Sequence, residues 1–214
     1  MVRGLSRSLV LKVLRRLVSF MRRNLHTVKF YLRITRASEV ARRYAVSNTF
    51  DITLTLLGAV LFSYVAGASE RPEILLGLGI GAAVGSGLSG TVSTLITEWA
   101  ERSRRITELE HVLLTKLRKT AIERAEKFAA MYSAVLSGFC PFVTALLITV
   151  PFMLAVHGII PNTYAIVMSI AIALAMLYVV GALLGKYTGR RPLTYGLYTL
   201  LAGLLVLALT RFIS

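Results

Sequence analysis

The chain has one cysteine, Cys140, so no intrachain disulfide can form and no cysteine-based zinc site exists. Histidine is almost as scarce: His26, His111 and His157 stand far apart and make no metal-ligand motif. There are only ten Asp and Glu against 25 Lys and Arg. No Ser-His-Asp order, phosphate loop, HExxH or redox CxxC is present, which leaves an enzyme with no residues to work with. The N-terminus does not read as a signal peptide, because Arg or Lys interrupts its apolar residues every few positions. Charged residues make up 16% of the chain, well below the roughly 25% of a soluble domain. That shortage points to a membrane.

What the chain has in quantity is apolar residues, 56% of the total. They fall in runs of the length an α-helix needs to cross a bilayer, about 20 residues. Spans are expected at about 47–67, 73–97, 131–157, 164–184 and 193–213. The third contains Pro141 and Pro151, each of which removes a backbone hydrogen bond and favours a kink. The expected fold is an all-α integral membrane protein with five transmembrane helices in residues 44–214. Residues 98–130 form a short cytoplasmic helical segment between helices two and three.

Residues 1–43 hold twelve Lys and Arg and a single acid, Glu39. Leu9, Val10, Val13, Leu14, Leu17, Val18 and Met21 recur at helical spacing, with Lys12, Arg15, Arg16, Arg22 and Arg23 largely outside the stripe. This is the pattern of a basic amphipathic N-terminal helix lying in the interface of an anionic membrane. Simple anchorage that fixes topology is an alternative. Nucleic acid is not expected as a partner, because a membrane span follows within a few residues.

Charge placement sets the orientation. The N-terminal arm, the 98–130 segment and the 185–192 loop together carry 23 of the 25 basic residues. By the positive-inside rule these segments are cytoplasmic, so the N-terminus is expected inside and the C-terminus outside a cell membrane. An odd number of helices excludes an inverted repeat of equal halves within one chain, so a symmetric pathway requires a homodimer.

One carboxylate, Asp51, falls inside the first span. A charge there costs roughly 2.5–3.5 kcal/mol and usually faces a cavity or a partner. The competing reading makes Asp51 a helix cap. That leaves a span of only 16 residues, 52–67, whereas Ser47 or Asn48 caps a full-length one. In the second span small residues stand four apart, at Gly77, Gly81, Gly85, Ser89, Ser93 and Thr97, with another row at Gly79, Ala83, Gly87 and Thr91. Such rows let helix backbones approach closely; their hydroxyls could also line a polar path. Glu98 and Glu101 follow, near the same end of the bundle as Asp51. Carboxylates of two adjacent helices, doubled by two-fold symmetry, would make an oxygen site for a hard or borderline divalent cation, or bind protons.

Ser47-Asn-Thr-Phe-Asp51-Ile-Thr-Leu-Thr-Leu-Leu-Gly58, Ser93-Thr-Leu-Ile-Thr-Glu98-Trp-Ala-Glu101 and Gly181-Ala-Leu-Leu-Gly-Lys-Tyr-Thr-Gly-Arg-Arg-Pro-Leu-Thr-Tyr-Gly196 together resemble motifs of the vacuolar iron transporter family, in its shorter prokaryotic form. The resemblance covers about residues 44–214. It implies a homodimer with an ion path between protomers, exporting iron(II) or manganese in exchange for protons. By position, Asp51 and Glu98 match the family's transport carboxylates, with Glu101 beside them. Glu108, Glu110, Glu123 and Glu126 are what the chain retains of the family's cytoplasmic metal-loading acids. Thr94 stands where the family has a methionine, removing a soft ligand that favours iron. No tightly bound cofactor is expected beyond the transported ion. The alternative is a membrane scaffold or partner-binding protein of the same fold that transports nothing; a third reading is a channel lined by the Ser and Thr rows.

Overall fold

The computed structural model describes residues 30–67, 71–117 and 120–213, and among them there is no strand. Five helices carry the fold: α1 (Ala37–Val65), α2 (Pro72–Leu113), α3 (Ala121–Val156), α4 (Asn162–Tyr187) and α5 (Pro192–Ile213). Each is long and apolar enough to cross a membrane. A helical run at 30–35 precedes α1, separated from it by Arg36 in the left-handed conformation (φ 49°). The amphipathic helix expected from Leu9 to Met21 lies outside the described residues.

Local sequence explains where the helices begin and end. Pro72 and Pro192 open α2 and α5 and Pro161 caps α4, positions where a missing N–H costs nothing. The Thr120 hydroxyl accepts the Glu123 N–H at the start of α3. Past the ends of α1 and α4, Gly67 (φ 74°) and Gly189 (φ 68°) take the left-handed turn that a side chain would resist.

Two boundaries differ from expectation. Residues 37–43, expected in the basic arm, are the first two turns of α1. The 98–130 segment is not a separate element. From Thr91 to Leu113 there is no Gly or Pro to stop α2, so it continues as one 42-residue helix. At about 1.5 Å per residue it is roughly 60 Å long, about twice the hydrocarbon core. It ends at Leu113, and α3 runs back along it from Ala121, an extended helical hairpin. Helix α3 runs without a break through both Pro141 and Pro151, which are buried.

Helices α2 and α3 pack antiparallel along most of their length, α1 lies across α3 and α4, and α5 returns along α4. Leu56 and Leu57 of α1 form one core cluster with Ala145, Ile148 and Leu177. Val60, Leu75, Phe152 and Ile166 form a second. The two rows of small residues on α2 separate cleanly. Gly79 and Gly87 of the second row face α3; so does Gly90, outside both rows, where a Cβ would lie 2.7 Å from the Ser137 carbonyl oxygen. A Cβ on Gly77, Gly81 or Gly85 would meet nothing within 4 Å outside its own helix backbone among the described residues, and Ser89, Ser93 and Thr97 on the same row are exposed. Gly90→Ala is therefore expected to destabilise the protomer by about 1–3 kcal/mol through overpacking. Gly81→Ala should be neutral or stabilise it by a few tenths, through helix propensity. Unfolding of the two variants in detergent checks the contrast; equal stabilities would mean that the α2–α3 contact can shift to admit a methyl group.

Candidate functional site

Pro141 has no N–H to offer the carbonyl of Ser137, four residues earlier, so that buried oxygen loses its helical partner. Asn48 of α1 replaces it: its Nδ2 donates to the Ser137 carbonyl at 3.2 Å and to the Ser137 hydroxyl at 2.8 Å. The same hydroxyl shares a 2.7 Å hydrogen bond with Thr94 of α2. One polar knot thus ties α1, α2 and α3 together inside the apolar bundle. Thr94, singled out in the sequence as a missing methionine, is 2% exposed and has a structural partner.

One turn along α2 lies Glu98, also buried. The Nε and Nη2 atoms of Arg102 each donate to Glu98 Oε2 at 2.9 Å. Nη1 of Arg102 donates to Glu126 on α3. All three side chains are at most 8% exposed. Two carboxylates gripping one guanidinium form a cross-helix clamp with a formal charge of −1. Between clamp and knot stands Ser133, seven residues after Glu126 and four before Ser137. Its buried hydroxyl has no hydrogen-bond partner among the described residues. Glu126, Ser133 and Ser137 on α3 and Glu98 and Thr94 on α2 make a line of buried polar groups.

The other acids singled out in the sequence are dispersed. A cleft of about 220 Å³ beside the clamp is lined by Glu110, Glu123 and Glu126 together with Trp99 and Lys127. Its carboxylates already have protein partners. Glu110 accepts the Leu117 N–H at 2.7 Å and so closes the α2–α3 turn, and Glu123 pairs with Lys127 at 2.8 Å. Glu108 lies outside the cleft and pairs with Arg104 at 3.0 Å on the exposed surface. Glu101 is exposed. Among the described residues, no three of His, Cys, Asp and Glu gather where they could hold a metal ion.

Asp51 and Glu98 stand in different surroundings within the protomer. Glu98 is buried against Arg102, whereas Asp51 is exposed on α1, on a stripe with Ser47 and Thr55. The helix-cap reading does not apply, since α1 begins at Ala37, more than three turns earlier. Asn48 lies beside Gly90 of α2. Around that contact, Asp51 and Thr55 of α1 and Ser89 and Ser93 of α2 occupy exposed positions. Sequence reasoning took Ser47 or Asn48 for the helix cap, a place that the start of α1 at Ala37 denies both, and passed over Arg102, Ser133 and Ser137. For Ser137 the signal was available in Pro141 four residues on, and for Arg102 in its spacing of four from Glu98.

No family model matches the chain. It is similar to an uncharacterised protein of Methanocaldococcus jannaschii, 27% identical over 177 residues, which cover 81% of this chain and 88% of that protein.

Proposed function

We propose that the chain is a multi-pass membrane transporter of divalent cations, manganese or iron(II), that works as a homodimer and exchanges the ion for protons. The observation that carries this reading is the outward position of Asp51 on a helix otherwise apolar enough to cross a bilayer. Facing lipid, that carboxylate would cost roughly 2.5–3.5 kcal/mol. Facing a second copy, two Asp51 carboxylates with the hydroxyls of Ser47 and Thr55 supply the oxygen ligands that hard and borderline dications prefer. The outer row Gly77, Gly81, Gly85, Ser89 and Ser93 gives the pairing a surface on which backbones can come close. Glu101 serves at the mouth of the path. Glu98 takes a different part from the one its sequence position suggests: with Arg102 and Glu126 it holds α2 and α3 rigid beside the path.

Orientation follows the charge. Arg42, Arg43, Arg102, Arg104, Arg105, Lys186, Arg190 and Arg191 lie toward one end of the helices and Arg71 toward the other. The crowded end is assigned to the cytosol of the cell membrane, and the ion moves outward from it.

In a cysteine-free background, Thr55→Cys on the exposed stripe is expected to crosslink two copies in membranes, whereas Leu56→Cys in the core is not. Manganese is expected to raise the melting temperature of the purified chain, and to do so only while Asp51 is present. Absence of both the crosslink and the shift would overturn the reading. The alternative of a non-transporting scaffold draws on the protein partners found for Glu98, Glu110, Glu123 and Glu126. It predicts a crosslink without any divalent-specific stabilisation.

A further inference from the structure

The end of the bundle where α1 begins and α4 ends holds far more positive charge than the described residues neutralise. Arg33, Arg36, Arg42 and Arg43 stand there on the α1 side and Lys186, Arg190 and Arg191 on the α4–α5 turn, with Glu39 the one acid among them. Arg42 is distinct within this group. Its guanidinium carbon lies over the ring of Tyr187, 4.0 Å from the centroid, a cation–π contact that restrains the group. No carboxylate pairs with it among the described residues, although Glu39 is one turn away.

From Arg42 a groove of about 520 Å³ runs down between α1, α3 and α4. Its mouth is polar, with Ser38, Arg42 and Tyr187; its walls are apolar, with Leu136, Phe139 and Val179 among them. Phe139 and Val179 are 62% and 46% exposed, so the groove is open along its side. The volume is within the roughly 300–1,000 Å³ of ligand pockets. A cation held against an aromatic ring at the end of an open apolar channel fits a ligand with an anionic head and a hydrocarbon tail. We infer that this groove is a binding site for one anionic phospholipid, its phosphate on Arg42 and an acyl chain between α1, α3 and α4.

Nucleic acid or an acidic protein would answer the charge but leave the apolar walls uncovered, and a zwitterionic lipid would fill the walls but leave the charge unanswered. The inference needs the five helices to lie in a bilayer. It does not need the metal reading, and its test involves no metal.

The full chain is purified and offered equal amounts of phosphatidylglycerol and phosphatidylcholine, and native mass spectrometry reads which lipid it keeps. Phosphatidylglycerol is expected to be retained in preference and to raise the melting temperature. Arg42→Ala should weaken its retention roughly fivefold or more, as loss of an arginine contact to an anionic headgroup implies. Val179→Trp, a change at an exposed position that fills the channel and leaves Arg42 in place, should also reduce retention, and reads the site even if Arg42→Ala fails to fold. Equal retention of both lipids would overturn the inference, as would unchanged retention in Val179→Trp. So would a melting shift reproduced by glycerol phosphate alone, since that would make the groove a free-phosphate site.

Discussion

Replacing Arg102 with leucine is expected to destabilise the protein by about 3–5 kcal/mol, the cost of leaving buried charge without its partner. The wild-type side chain bridges Glu98 on its own helix and Glu126 on α3, and all three are almost completely removed from solvent. Without the guanidinium, two carboxylates are left in the α2–α3 contact, each short of a charged donor and each repelling the other. Removing the whole group should be far milder. The triple variant Glu98→Met, Arg102→Leu, Glu126→Met is expected to recover to within about 1–2 kcal/mol of wild type, since buried ion groups exchange for apolar side chains of similar size at little net cost. Denaturant unfolding of wild type, single and triple variants in one detergent provides the comparison. An Arg102→Leu protein as stable as wild type would mean that water reaches both carboxylates and that the group is not a clamp.

The clamp also shows how far a sequence can be read. Glu98 and Arg102 are four residues apart on one helix, the spacing that marks an ion pair, and so are Glu101 and Arg105 and Glu123 and Lys127. Local spacing cannot separate them. In the structure Glu123 and Lys127 do pair, at 2.8 Å, while among the described residues Arg104 rather than Arg105 finds a carboxylate, that of Glu108. Glu126 is 24 residues from Arg102 and joins it only through the antiparallel register of α2 on α3, which no local pattern encodes.

The five helices were legible because an apolar run of bilayer length has little to do in a chain except cross a membrane. The helical character of 98–130 was legible too, but not that its two parts continue α2 and α3: the change from apolar to charged residues after Thr97 marks where the apolar run stops, not where the helix does. The glycine rows were legible as contact surfaces, yet their periodicity could not say which row meets α3. Packing decides it: Gly79 and Gly87 fall opposite Thr149 and Phe142, and Gly81 and Gly85 are left outward. The resemblance to vacuolar iron transporters pointed to Asp51 and Glu98 as a pair. Within one protomer Glu98 is buried and already paired with Arg102 while Asp51 is exposed, so Asp51 carries the transport proposal.

Asp51→Asn is accordingly the substitution with the largest expected effect on function. It preserves size and hydrogen bonding, and at an exposed position it disturbs no core contact. The protomer should fold with unchanged stability, within about 0.5 kcal/mol as for most surface changes. What it removes is the negative charge that would neutralise a dication and accept a proton in return. Loss of transport with folding intact would separate a role in the path from a role in the scaffold. The decisive measurement is uptake of manganese and iron(II) into proteoliposomes under an imposed proton gradient, wild type beside Asp51→Asn. Wild type is expected to show uptake that depends on the gradient, and Asp51→Asn none above empty liposomes; equal uptake by the two, or no uptake of either metal by wild type, would contradict the transport proposal.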